Sequence, residues 1–198
     1  EYVWIKTING DYNVKTSEIL YYEIENRRCN IYMSDGVVFS TKYKIKDICK
    51  IICGGTPSTE NKSYWGTNND IVWLTPKDLS VYKGKYVTDS LSHITKVGLQ
   101  NSSAKIVPTN TVLLSSRAPI GYLAISKVDL CTNQGFKALI PDEHVLNYEY
   151  LYYLLMAKID ELQSISTGST FLELSTNTLK EYKIDIHSLP EQQHIVNI

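Results

Sequence analysis

Between Thr111 and Phe136 the chain has no room for a long helix. Pro119, Gly121 and Asp129 punctuate it, and the apolar runs Val112–Leu114 and Tyr122–Ile125 are short and β-prone. Runs of that length bounded by turn residues predict two adjacent strands. The turn between them is expected to present Ser115, Ser116 and Arg117. A second polar turn, Thr132-Asn133-Gln134-Gly135, closes the strand that follows. Hydroxyls, one guanidinium and two amides on neighbouring turns form a surface of donors and acceptors with no acid–base pair. That is recognition chemistry.

The rest of the chain sets bounds on this reading. A chain of 198 residues suits one globular domain with appendages. It begins with Glu1 and not Met, and is read as a fragment of a longer polypeptide. No apolar run approaches the roughly 18–20 residues of a membrane span. Four cysteines, Cys29, Cys49, Cys53 and Cys131, form no CxxC and no His/Cys pair at zinc spacing, so neither a metal nor a cofactor is expected. They are read as reduced thiols of a cytoplasmic protein. The net charge of −1 hides an asymmetry: −1 over residues 1–42, +5 over 43–117 and −5 over 118–198. A positive middle suits a phosphate-facing surface, and chance scatter on a solvated surface is the plainer alternative.

Residues 1–42 alternate short apolar segments with Asn-Gly-Asp and Ser-Asp-Gly turns, as an edge extension or the tail of an upstream domain. Tyr43 to Cys53 reads as a helical turn leading into a strand. Gly54-Gly55-Thr56-Pro57-Ser58 is a tight turn without the spacing of a nucleotide loop. Ile71–Leu74 predicts a buried strand, followed either by a turn with a local Lys77–Asp78 ion pair or by a Lys77 that, with Lys62, reaches phosphate or a base edge. A short helix starting at Ser92 and ending near Gly98 is expected next, then a strand over Ala104–Val107. His93 has no second ligand spaced to pair with it. Glu149–Leu162 predicts one helix, capped by Asp142 or Asn147, with Leu151, Leu154, Leu155, Ile159 and Leu162 on one face. Its tyrosines are read as packing residues. A hydroxyl-rich loop follows over Ser164–Phe171, then a strand within Leu179–Ile186, and a new helix opens at Leu189.

Seven short motifs stand in order along the chain: Gly-Gly-Thr-Pro-Ser (54–58), Tyr-Trp-Gly (64–66), Trp-Leu-Thr-Pro-Lys-Asp-Leu (73–79), Ser-Ser-Arg-Ala-Pro-Ile-Gly (115–121), Thr-Asn-Gln-Gly-Phe (132–136), Gly-Ser-Thr-Phe (168–171) and Leu-Pro-Glu-Gln (189–192). Each alone is weak. Together, over residues 43–198, they resemble the target recognition domains of type I restriction–modification specificity subunits. The same domain type occurs at the C-terminus of fused type II restriction–methyltransferase enzymes. The resemblance implies an α+β fold, an irregular and mostly antiparallel sheet with a few helices over 43–188, and the start of a spacer helix over 189–198. It also implies a role, which is to read one half of a split site on double-stranded DNA. Adenine methyltransferase subunits would be positioned there, with a restriction subunit joining. Family subunits usually carry two such domains, so a second one in cis or by dimerisation is implied. A half-size subunit, a fragment and the tail of a fused enzyme all stay open.

Direct readout needs Arg for guanine and Asn or Gln for adenine on rigid turns. Arg117, Asn133 and Gln134 supply those groups, with Ser115 and Ser116 beside them. Motifs shared by proteins that read different sequences suit scaffold or phosphate contacts better, however. The bases would then fall to the less patterned segments Thr59–Lys62, Ser80–Lys85 and Ser164–Thr170. The expected DNA-facing set is completed by Lys62, Tyr64, Lys77, Lys83, Lys85, Ser169 and Thr170. No catalytic constellation stands beside it. The Asn/Asp-Pro-Pro-aromatic motif and a glycine-rich loop for S-adenosylmethionine are absent. Pro141-Asp142 and Glu181-Tyr182-Lys183 echo a nuclease motif only faintly, with a whole helix among the 38 positions between Asp142 and Glu181. The alternative from another class is a protein-interaction scaffold that uses the acidic C-terminal half.

Overall fold

The structure, a computed structural model, describes residues 1–7, 10–25, 28–40, 43–82, 84–168 and 172–197. The N-terminal segments form β1 (Tyr2–Thr7) and β2 (Gly10–Lys15), paired as a ribbon, then a meander of β3 (Ile19–Glu25), β4 (Arg28–Met33) and β5 (Val38–Ser40). Ile5 and Met33 are buried, whereas Tyr2, Trp4, Tyr21 and Tyr22 are exposed. β6 (Tyr43–Lys44), the single turn α1 (Ile45–Ile48) and β7 (Cys49–Cys53) match the expected helical turn into a strand.

β8 (Ile71–Leu74) leads directly into α2 (Pro76–Val81), in place of the expected turn. The cause is a reciprocal cap. Thr75 N and Oγ1 both donate to Asp78 Oδ2, at 2.8 and 2.6 Å, and Pro76 has no N–H to leave unpaired in the first turn. Asp78 Oδ1 accepts from Leu91 N as well, so this buried carboxylate is spent on backbone and makes no ion pair with Lys77. β9 (Tyr86–Val87) and β10 (His93–Ile94) precede α3 (Lys96–Gln100). The cap of α3 is Thr95, not Ser92, and Gly98 lies inside the helix instead of ending it. A β-carbon at Gly98 would run into the backbone carbonyl of Tyr64, so close packing there selects glycine. Over 104–107 only an isolated Val107–Leu130 bridge forms, in place of the expected strand. His93 is buried and bonded to Asp89 at 2.8 Å.

β11 (Val112–Ser116), β12 (Ile120–Ser126), the short β13 (Cys131–Thr132) and β14 (Phe136–Pro141) complete the core strands. A five-stranded sheet runs β7-β14-β11-β12-β9, antiparallel except for the β12–β9 pair. Its side chains alternate in period two. Val112, Leu114, Ile125 and Leu139 enter one apolar cluster, while Leu113, Ala124 and Ala138 enter another on the opposite face. Burial on both faces explains why these strands read as continuous apolar runs. A smaller sheet, β10-β8-β13, carries the third cluster around Trp73, Ile94 and Cys131.

The helices α4 (Tyr148–Met156), α5 (Ile159–Ser164), α6 (Thr176–Glu181) and α7 (Leu189–Val196) follow, with β15 (Lys183–Ile184) pairing with β6. The single helix expected over Glu149–Leu162 is therefore two. It breaks at Ala157–Lys158, because α5 is turned to set Ile159 against Gly121 and bury Leu162, and Gln163 Nε2 then donates to Ile120 O at 2.9 Å. Asn147 is the cap of α4, its Oδ1 accepting from Glu149 N and Tyr150 N. Gln192, in the first turn of α7, is fully buried. Its Nε2 donates to Val145 O at 2.9 Å and His187 O at 2.8 Å, and its Oε1 accepts from Asn147 N at 2.8 Å. One side chain thereby joins the start of α7 to the start of α4.

Candidate nucleic-acid interface

The β11–β12 connection differs from an exposed serine turn. Ser115 and Ser116 belong to β11 and both are fully buried. Ser115 Oγ donates to Pro119 O and accepts from Tyr122 N, each at 2.8 Å, which closes the corner. Ser116 Oγ donates to Gly135 O at 3.2 Å, and Ser116 N donates to the same oxygen at 2.8 Å. These hydroxyls hold the turn together from inside and present no outward donor. Arg117 is the residue that emerges, its side chain 39% exposed, just before Ala118 (φ 51) and Pro119.

The Thr132–Gly135 turn is fixed as tightly. Asn133 N donates to Leu74 O, and Asn133 Oδ1 accepts from Gly135 N at 2.9 Å. Gly55 N donates to Thr132 O at 2.9 Å, and a β-carbon at Gly54 would collide with the carbonyl oxygens of Thr132 and Asn133. Gly54-Gly55 is glycine because backbone lies on backbone there. Gln134 is exposed, with its Oε1 accepting from Thr56 Oγ1. Thr56 escaped sequence reasoning because its partner lies 78 positions away.

Lys77 stands exposed in the first turn of α2, and its neighbour Pro76 lies against Gly135. Lys77, Arg117 and Gln134 are thus each adjacent in the chain to Gly135 or to a residue touching it. Three segments converge on one end of the central sheet and show a lysine, an arginine and an amide there. Lys62 and Tyr64 sit in a single 3₁₀ turn of the 54–66 loop, Lys62 exposed and Tyr64 half-buried. That loop is clamped by Trp73 Nε1 to Gly55 O (2.9 Å) and Trp65 Nε1 to Ser58 O (3.0 Å).

Lys85 is placed elsewhere, between β9 and α4. Its Nζ lies 3.2 Å from Glu149 Oε1 and 3.3 Å from Tyr153 Oη, above the rings of Tyr86 and Tyr153. Lys127 lies over the rings of Tyr86 and Tyr148. Burial pulls the Lys85 ammonium down, and the bonds to Tyr153 and Glu149 outweigh it and hold its pKa above the ordinary value. Its charge is taken up internally. Lys83, Ser169 and Thr170 lie outside the described residues.

Two further side chains stand at the same end as Arg117. Lys137 interrupts an otherwise apolar strand, and that solitary charge was its sequence signal. Its side chain is 6% exposed, and Nζ lies 3.8 Å from Glu173 Oε1; Arg117 approaches Glu173 Oε2 at 3.9 Å. Glu173 is delivered by a backbone bridge to Arg117 and by paired bonds with Thr167. No helix among the described residues is long and apolar enough to cross a membrane.

Comparison with known proteins agrees with this architecture. Residues 39–198 match the model of the type I restriction modification DNA specificity domain. The chain is 49% identical over 157 residues to the type I restriction enzyme MjaIX specificity subunit of Methanocaldococcus jannaschii, covering 78% of this chain and 36% of that protein. It is 31% identical over 159 residues to the EcoR124I/EcoR124II specificity subunit of Escherichia coli, covering 77% of this chain and 38% of that one. The chain therefore spans little more than a third of the length of these relatives. The crystal structure of the HsdS subunit from Thermoanaerobacter tengcongensis superposes with a TM-score of 0.58 at 24% identity, over 78% of this chain and 34% of that one, and so shares the fold. On motif order, fold and relatives together, the chain belongs to the family of type I restriction–modification DNA specificity domains.

Proposed function

We propose that residues 43–188 read one half of a split double-stranded DNA target in the cytoplasm, without catalysing any reaction. The domain would position adenine methyltransferase subunits, and with them a restriction subunit, on that site. α7 opens the spacer that leads to a second recognition domain, in the same chain or in a second copy. The observation that carries this reading is the convergence of Lys77, Arg117 and Gln134 around Gly135. A backbone already locked by buried hydroxyls has little loop-ordering cost left to meet when it docks against a groove. Asn133, Ser115 and Ser116 act there as scaffold, and Lys62 and Tyr64 extend the surface along the 54–66 loop.

Fluorescence anisotropy with duplex DNA tests the reading. Log affinity should fall linearly with log salt, and each phosphate contact removed should lower the slope by about 0.9. Alanine at Lys62, Lys77 or Arg117 should each weaken binding. Parent-like binding by all three variants would sink the proposal. Sequencing the host methylome with and without the gene then identifies the half-site, through loss of adenine methylation at one split motif.

A further inference from the structure

Lys137 is a charge set inside an otherwise apolar strand. Its side chain is 94% buried, being 6% exposed, and its ammonium makes no hydrogen bond to any described residue. What faces it is one carboxylate oxygen of Glu173 at 3.8 Å, while the other oxygen faces the Arg117 guanidinium at 3.9 Å. Charge-assisted N–H···O⁻ bonds are about 2.7–2.9 Å long, so Glu173 offsets one of the two positive charges and bonds to neither cation. The stem is buried while the ammonium tip holds no hydrogen bond from the protein, and a site built only to hold Glu173 would have closed onto it.

The placement of Glu173 is set by backbone and not by side-chain chance. Thr167 and Glu173 exchange both backbone bonds, and Leu174 N donates to Ser116 O at 2.9 Å, which brings Glu173 alongside Arg117. Lys137 pairs in register with Leu114 on one side and Cys53 on the other, so its stem is fixed by the sheet. The Lys137 stem is fixed, Arg117 emerges beside it, and the carboxylate between them is 44% exposed with solvent to turn into. The three groups carry a net charge of +1. With Glu173 turned out, the remaining +2 would face whatever anion lies against this end of the sheet.

We propose that Arg117 and Lys137 form an oxyanion site for a DNA backbone phosphate, and that Glu173 occupies it as a stand-in until the duplex arrives. The identity of the anion as a phosphodiester rests on the DNA-reading function proposed above. The oxyanion site itself does not. A phosphate has the oxygens to accept from the guanidinium fork and from the ammonium at once, which a carboxylate held nearly 4 Å away does not achieve. Glu173 then acts as a discriminator: non-phosphate anions and loosely seated duplex fail to displace a tethered competitor.

The experiment is a mutant cycle on the intact chain with two readouts. In anisotropy titrations with duplex DNA, Glu173→Gln keeps the shape and removes the competing charge. It should tighten binding about fivefold, the size of an exposed ion pair no longer broken. Lys137→Met should weaken binding, and the double variant should lose the gain, because the competitor matters only while the site exists. The second readout is acylation of Lys137 followed by mass spectrometry, with inorganic phosphate as the added ligand. Glu173→Gln should raise the labelling, and phosphate should then suppress it at Lys137 but not at Lys77. Circular dichroism confirms that Lys137→Met is folded. Equal or weaker duplex binding by Glu173→Gln, or a gain that survives Lys137→Met, overturns the phosphate assignment. If the parent binds no duplex at all, the DNA reading falls, and phosphate protection alone decides the site. Lys137 labelling insensitive to phosphate would then overturn it.

Discussion

Gln192 is the residue on which the direction of α7 depends, and its replacement can be costed from the structure. Its side chain is fully buried and serves three backbone groups: Val145 O, His187 O and Asn147 N. Methionine keeps the length of the side chain and removes all three bonds. Each buried group orphaned in this way costs about 1–3 kcal/mol, with the lower end applying where water can reach. Near the start of a surface helix the lower end is appropriate, giving a loss of about 3 kcal/mol for Gln192→Met. For a chain of this size that corresponds to a fall in Tm of about 6–12 °C. Urea unfolding followed by tryptophan fluorescence measures the loss. Hydrogen exchange locates it, because α7 and the first turn of α4 should lose protection before β11 and β12 do. Gln192→Glu provides the sign control: it retains an acceptor for Asn147 N, loses both donors and buries a charge. It should therefore destabilise more at pH 7 than at pH 4. A Gln192→Met variant within about 0.5 kcal/mol of the parent, with α7 protection intact, would refute the reasoning, since surface substitutions fall in that range.

Three other outcomes follow from the same geometry. Hydrogen bonds from Lys44 and Lys46 hold the Glu181 carboxyl at about 2, below its ordinary 4.5. A depressed acid stabilises the fold above its unfolded pKa and loses that contribution as pH falls, so the stability difference between the parent and Glu181→Gln should shrink below pH 4.5 and vanish near pH 2. Burial pushes the thiols of Cys49 and Cys131 up to about 12, whereas Cys53 is exposed. Alkylation at pH 8 followed by peptide mapping should therefore label Cys53 and spare Cys49 and Cys131 in the folded chain. Gly54→Ala forces a β-carbon into the carbonyls of Thr132 and Asn133, so it should cost about 1–3 kcal/mol in urea unfolding and weaken duplex binding by displacing the Gln134 turn.

Much of this protein is written locally. Apolar runs at 71–74, 112–114 and 122–125, broken by proline and glycine, are sufficient for the strands β8, β11 and β12, because strand formation and sheet burial follow from period and punctuation within a few residues. The order of seven motifs likewise points to the family without coordinates, and in this chain motif residues answer to backbone demands such as the close approach at Gly54. What the sequence does not hold is the partner of each polar side chain. Ser116 turns inward because Gly135 O lies across the sheet from it, 19 positions away, and Lys85 is consumed by Glu149 and Tyr153, more than 60 positions away. The helix over 149–162 has the periodicity of one element, yet it breaks because Gly121 and Ile120 O offer a better seat to α5 than a straight continuation does. A hydrogen bond or an ion pair depends on distances set by the whole chain. Only tertiary structure decided that Lys77, Arg117 and Gln134 share one end of the sheet, and that Glu173 stands between Arg117 and Lys137.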